Sequence, residues 1–313
     1  AVSSLLTKYR IDPCTVGRVD LSTSTFAKTR LLCSISSYIN TDVDFVESTN
    51  ATTAILNAIH WIESSNWDGK YAIVCAAETT SSSGAVALLI GPDAPLILES
   101  IRGSFLAGNS ASELTNYLET LNKSFAAYKI NIGKAVDVNG SPTDEPAAKS
   151  VKLSDFDYFI FNSPQVEVAQ KAYYHLAYQD YMSHPSAPAY PQVRPSMEEA
   201  SPEESNKISV TAVKPTLFDF SISQYAQSVA PSQLLSTHLG EAYAGSLYGG
   251  LASLLTNVPP YKLFDKRISL FEHNSGFASS IFFAIRVRGD TSRIQMKLDL
   301  KRRLSEIGLV IPK

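Results

Sequence analysis

The stretch best placed to do chemistry begins at Asp44, runs Phe-Val-Glu-Ser-Thr-Asn-Ala-Thr and continues to Glu63, closing on Ser-Ser-Asn-Trp-Asp-Gly69. A short apolar strand over 43–46 turns through Ser48, Thr49 and Asn50 into a helix. In that helix Ala54, Ile55, Ala58, Ile59 and Ile62 recur at helical spacing. Apolar residues dominate it, which predicts a helix buried between layers. A strand that feeds a buried helix through a sharp turn presents one side chain at the helix N-terminus, where backbone N–H groups stabilise negative charge.

The histidines offer less. His60, on this helix, reads as a packed core residue, and His175, among Tyr173, Tyr174 and Tyr178, reads as a surface or interface residue. His184 belongs to a Pro-rich stretch, and His238 follows Ser236-Thr237. No pair has metal-site spacing with a third ligand, and no Gly-rich loop follows a strand, so neither a metal nor a cofactor is expected. Cys14, Cys33 and Cys75 are scattered and odd in number, the pattern of reduced thiols in a cytoplasmic protein.

Composition narrows the classes. With 313 residues, 44% of them hydrophobic, the chain can bury a large core, and 18% charged residues suit a compact fold. A net charge of −3 gives no electrostatic case for nucleic acid or an anionic membrane as partner. No apolar run reaches membrane-spanning length.

Around the central helix the pattern alternates. Helices are expected over 2–9 and 25–38, strands over 17–21 and 71–77, and a strand pair over 84–91 and 95–102 joined by the Gly-Pro-Asp turn. An amphipathic helix over 111–130 carries Leu114, Tyr117, Leu118, Leu121 and Phe125 on one face. The order then repeats: a strand over 158–161, a helix over 166–181, a short strand at 234–236 feeding a helix over 241–255, and strands over 267–271 and 278–287. A charged amphipathic helix over 293–307 closes the chain. The pattern divides it into an incomplete N-terminal half (1–132), a linker (133–150) and a C-terminal half (151–313), the last with a Pro/Ser/Glu-rich excursion over 183–206. Strand–helix alternation followed by paired strands, twice over, predicts α/β layers with buried central helices.

Several stretches carry a specific resemblance. Thr49-Asn50-Ala51, then Ala58-Ile-His-Trp-Ile-Glu-Ser-Ser65 and Trp67-Asp68-Gly69, resemble 3-hydroxy-3-methylglutaryl-CoA synthases of the thiolase superfamily, which read T-N-A-C-Y-G-G and then N-W-I-E-S-S-x-W-D-G. The stretch from Gly84 to Pro95 is similar to G-A-V-A-L-L-I-G-P-N-A-P. Ser246 to Leu255 is similar to S-V-Y-G-S-L-A-S-L-L, and Lys266 to Gly276 to K-R-I-G-V-F-S-Y-G-S-G. The resemblance implies the thiolase-like layered fold, two similar halves stacking helices between two sheets, here without the family's opening strand-helix segment and its C-terminal portion. It also implies a homodimer paired through the sheet of the first half, around 71–77.

The same alignment of motifs implies departures at the reaction centre. The family's acyl-accepting cysteine falls on Thr52, its catalytic glutamate on Ser24, its catalytic histidine on Asn162 and its acyl-binding asparagine on Glu241. A coenzyme-holding lysine falls on Glu167. A hydroxyl is a poorer acyl carrier than a thiolate, and serine is no base at neutral pH. The expectation is therefore an enzyme turned to non-condensing chemistry (cyclisation, isomerisation or dehydration) on a small apolar metabolite. A non-catalytic homologue that binds a ligand or partner is the alternative, and residual thioester handling by Thr52 a third. Glu241 and His273 are the candidate acid/base pair, with Thr52, Asn162, Ser24, Ser275, Tyr243 and His238 as substrate contacts in a wide cavity lined by Phe, Tyr and Leu. Glu272 and Asn274 flank His273, either setting its orientation or pointing outward.

Overall fold

The structure, a computed structural model, describes residues 1–23, 34–39, 42–48, 50–78, 84–106, 113–137, 151–162, 165–185, 215–240, 245–274 and 279–308. Eight strands among them form two sheets. The first sheet has β1 (Val16–Ser22), β2 (Asp44–Ser48), β3 (Tyr71–Glu78) and β4 (Gly84–Ile90) in the order β2-β1-β3-β4. The second has β5 (Leu96–Leu106), β6 (Tyr158–Phe161), β7 (Arg267–Asn274) and β8 (Ser279–Val287) in the order β5-β8-β7-β6. One motif recurs: β3 runs parallel to β1 and antiparallel to β4, as β7 runs parallel to β6 and antiparallel to β8.

Helices α1 (Val2–Tyr9), α2 (Ala51–Ile62), α3 (Glu113–Asp137), α4 (Val166–Ser183), α5 (Pro215–Ser228), α6 (Leu234–Leu239), α7 (Ser246–Asn257), α8 (Pro260–Leu263), α9 (Ser292–Leu298) and α10 (Leu300–Glu306) pack on these sheets. Strand alternation sorts the side chains. Ala72, Val74 and Ala76 of β3 meet Ala51, Ala54, Ile55 and Ala58 of α2 and Leu247, Tyr248, Leu251 and Leu254 of α7. Ile268 and Leu270 of β7 close that core from the other side, so α2 and α7 lie between the two sheets. The opposite faces pack outward: Ile73 and Cys75 with Val2 and Leu6 of α1, and Phe271 with Tyr117, Leu121 and Phe125 of α3. Strands buried on both faces carry unbroken apolar runs rather than alternation, as over 72–77 in β3 and 281–285 in β8. This is the layered fold the pattern predicts.

The sheet and outer helices approach very closely at Gly103 of β5. A Cβ there would lie 2.0 Å from the Ser124 carbonyl oxygen and 2.2 Å from the Tyr128 amide nitrogen, so only glycine lets the strand reach α3.

Four expectations change. The stretches 84–91 and 95–102 do not pair: β4 bonds to β3 and β5 to β8, so the Gly-Pro-Asp link, with Asp93 at φ 56°, carries the chain between sheets. Residues 234–236 open helix α6 instead of forming a strand. The closing helix is broken at Asp299, whose φ of 44° ends α9 and starts α10. Strand β3 is bonded on both sides, by β1 and β4, so residues 71–77 offer no edge to a second subunit. The greater part of the helix expected over 25–38, the part from 25 to 33, and of the 183–206 excursion lie outside the described residues.

Candidate active site at the start of the central helix

Helix α2 begins where its sequence directs. Asn50, extended at φ −148° and ψ 168°, accepts a 2.7 Å hydrogen bond from the Thr53 amide, the N-cap geometry its side chain favours. Thr52 thus sits in the first helical turn, facing inward, 1% exposed. Its Oγ1 lies 2.8 Å from Oη of Tyr248, which α7 presents from the facing helix. Tyr248 is 2% exposed, and burial holds its phenol well above the usual range, an effect the Glu272 carboxyl reinforces and the Thr52 hydrogen bond opposes.

The third member is Glu272, near the end of β7. Alternation carries Ile268 and Leu270 into the core between the sheets and Glu272 into the same layer, 3% exposed. Burial raises its carboxyl from 4.5 to about 7, while the Thr52 hydroxyl and backbone N–H hold back part of that rise. Its Oε2 is buried with no hydrogen-bond partner. Two hydroxyls and a carboxyl with one unpartnered oxygen therefore meet at the N-terminus of a buried helix.

The residues read from sequence distribute unevenly around this centre. Thr52 belongs to it. Asn162 follows β6: its amide donates to the Phe271 carbonyl at 2.9 Å and its Nδ2 to the His273 carbonyl at 3.3 Å, tying two strand ends together. His273 points the other way from Glu272. Its Nδ1 lies 3.0 Å from Oγ1 of Thr120 and its ring stands edge-on to Tyr117, 5.2 Å between centroids, both on α3. The sheet thus separates the imidazole from Thr52, and Glu272, not His273, turns toward the central helices. His238 bonds back to the Leu234 carbonyl of its own helix at 2.8 Å. Glu241, Tyr243, Ser24 and Ser275 lie outside the described residues. The readings of His60 and His175 exchange places. His60 is exposed on α2, while His175 is buried against Oδ1 of Asn122 at 2.7 Å, where burial lowers its pKa to about 4.

A cavity of about 550 Å³ opens between α1, β4, α6, α7 and α10, lined by Leu5, Val86, Leu235, Leu239 and Leu304 with Lys8 and Arg303 at its rim, and neither Thr52, Tyr248 nor Glu272 reaches it. Among the described residues no cluster of His, Cys, Asp or Glu could hold a metal ion, and no helix is long and apolar enough to cross a membrane. Cys14 and Cys75 are free thiols.

Layered sheets enclosing a pair of helices, with a buried hydroxyl side chain at the start of one of them, define a thiolase-like protein. Residues 1–95 match the family described as hydroxymethylglutaryl-coenzyme A synthase N terminal and residues 109–313 its C-terminal counterpart. The chain belongs to the hydroxymethylglutaryl-CoA synthase family. It is 36% identical to the hydroxymethylglutaryl-CoA synthase of Ganoderma lucidum over 99% of this chain and 72% of that protein. It is 34% identical to a hydroxymethylglutaryl-CoA synthase-like protein of Alternaria alternata, over 100% of this chain and 82% of that one. Among solved structures, MvaS in complex with 3-hydroxy-3-methylglutaryl coenzyme A superposes with a TM-score of 0.73 at 20% identity, covering 97% of this chain and 75% of that one. The HMG synthase of the curacin biosynthetic pathway, in complex with holo donor-ACP, gives 0.67 at 17% identity, covering 97% and 73%.

These relatives correct the expected activity. Proteins named as hydroxymethylglutaryl-CoA synthases, at 36% and 35% identity along nearly all of this chain, point to condensation and overturn the reading of non-condensing chemistry on an apolar metabolite.

Proposed function

We propose that this chain is a condensing enzyme on acyl thioesters, joining an enzyme-held acetyl group through its methyl carbon to the ketone carbon of an acetoacetyl thioester, with water then cleaving the enzyme ester to release hydroxymethylglutaryl-CoA. The observation that carries the reading is Thr52, held by Tyr248 at the N-terminus of a buried helix in a chain that matches the synthase family at both ends. The Thr52 hydroxyl takes the acetyl group as an oxygen ester, where the family motif places cysteine. The positive end of α2 stabilises charge that develops on the acyl oxygen. Coenzyme A is the thioester carrier in this proposal, and the protein is cytoplasmic.

A homodimer is part of the same proposal. Its support is β4, an edge strand of the first sheet whose run Ala85-Val-Ala-Leu-Leu-Ile90 is only partly covered. Edge strands of this kind are ordinarily paired or capped. Sedimentation showing only a 34.1 kDa species at micromolar concentration would count against it.

The test of the activity is incubation of the protein with acetyl-CoA and acetoacetyl-CoA, followed by mass detection of products. Hydroxymethylglutaryl-CoA is expected in amounts that grow with enzyme and time. Failure to form it, with both substrates intact, would overturn the proposal.

A further inference from the structure

Glu272 has no evident structural reason to be a carboxylate. Its neighbours on the same strand face, Ile268 and Leu270, are apolar core residues, and Ile281 is its cross-strand partner. A buried carboxyl oxygen without a hydrogen-bond partner costs about 1–3 kcal/mol, more when charged, where a leucine would cost nothing. The motif compared above places serine at this position and cysteine at Thr52, so two substitutions stand side by side. A thiol near its pKa of about 8.5 supplies some thiolate unaided, whereas an alcohol attacks only when a base removes its proton. Hydroxyl and carboxylate arriving together is the combination that restores a nucleophile.

We propose that Glu272 is the general base that takes the Thr52 proton during acyl transfer, an inference that rests on the thioester-condensing reading above. The hydrogens allow it. Oγ1 of Thr52 and Oη of Tyr248 lie 2.8 Å apart and either can donate; in the arrangement this step uses, the phenol, which burial keeps protonated, donates to Oγ1 and the single hydrogen of Thr52 is left for the carboxylate. In the step, Oγ1 of Thr52 forms a bond to the thioester carbonyl carbon as the C–S bond breaks. The Thr52 proton passes to Glu272 and from there to the departing sulfur, giving an acyl ester and a free thiol with no change in oxidation state.

Among the described residues, the phenol of Tyr248 faces the carboxyl from α7, the Thr52 hydroxyl and amide from α2, and apolar Ile281 is its partner on β8. Next along β7, His273 lies across the sheet against Thr120. Burial places the ionisation of Glu272 at about pH 7, so base and acid forms are both populated near neutrality.

The experiment measures acetylation of Thr52 in the full chain by two donors, acetyl-CoA and p-nitrophenyl acetate, across pH 5 to 9, with Glu272→Gln and Glu272→Asp beside the wild type. The expected result is Thr52 acetylation whose rate rises through about pH 7. It falls roughly hundredfold or more in Glu272→Gln, loses its pH step there, and is partly restored in Glu272→Asp. Equal rates and the same pH profile in Glu272→Gln overturn the inference, as does a wild type whose Thr52 accepts acetyl from neither donor. Acetylation by p-nitrophenyl acetate but not by acetyl-CoA, lost in Glu272→Gln, upholds the base and refutes the thioester reading instead. Circular dichroism of each variant separates lost chemistry from lost fold.

Discussion

Replacing Glu272 by glutamine should make the protein more stable at alkaline pH and leave acid pH as the reference. The reasoning starts from the carboxyl, fully buried and shifted from 4.5 to about 7. A carboxyl whose pKa rises on folding binds its proton more tightly in the native state. Stability linked to that proton is fully present below pH 4.5 and is lost as pH climbs to about 7, above which no more is lost. A shift of roughly two and a half units at about 1.4 kcal/mol each gives about 3 kcal/mol. Glutamine has nearly the same shape and never ionises, so it lacks this loss. The stability of Glu272→Gln minus that of wild type should therefore grow by about 3 kcal/mol between pH 4.5 and pH 8. In melting temperature that is on the order of 5 °C for a chain of this size. Urea denaturation at several pH values, followed by tryptophan fluorescence, measures it, and groups common to both proteins cancel in the difference. A difference that stays constant with pH, or shrinks, would refute a carboxyl whose burial outweighs its hydrogen bonds.

Other consequences follow from single contacts. Thr52→Val should cost about 1–3 kcal/mol by taking a hydroxyl partner from both Oη of Tyr248 and the Glu272 carboxyl, and adding Tyr248→Phe should recover only the tyrosine's share, a cycle read by urea denaturation. Gly103→Ala should destabilise by about 3 kcal/mol or more, seen as a lower melting temperature or loss of soluble protein, because its Cβ would overlap the backbone of α3. Arg267→Met should cost about 2 kcal/mol: it strips Glu99 of a partner at 2.6 Å and Tyr128 of one at 2.7 Å in a half-buried network. Pairing it with Glu99→Gln should show coupling, and strictly additive losses would dismiss that network.

The fold was largely legible because its periodicities are strong. The apolar spacing of Ala54, Ile55 and Ala58 marks α2 as a buried helix, and unbroken apolar runs mark strands such as β3 and β8 as covered on both faces. What sequence could not supply was pairing. Residues 84–90 and 96–106 look like a hairpin because a turn joins them, yet β4 pairs with the preceding strand β3 and β5 with β8, far downstream. The site was half legible. Thr52 follows from a strand, a cap and a helix in succession, all local features. Glu272 and His273 are adjacent on one strand, so one of them had to face the central helices and the other α3. Only the phase of β7 decides which, and the alternation of Ile268 and Leu270 was the signal that could have settled it. Tyr248 carried a similar signal, at helical spacing with Leu251 and Leu255 on the buried side of α7. A hydrogen bond between residues 196 positions apart has no sequence trace at all.

The central claim is that Thr52 carries an acyl group. Incubation with acetyl-CoA labelled in the acetyl group, an acid quench and mass analysis of proteolytic peptides tests it most directly. The label should appear on Thr52 in the wild type, be absent in Thr52→Val, and be discharged when acetoacetyl-CoA is added before the quench. No labelled peptide, or a label elsewhere that persists in Thr52→Val, would contradict the account.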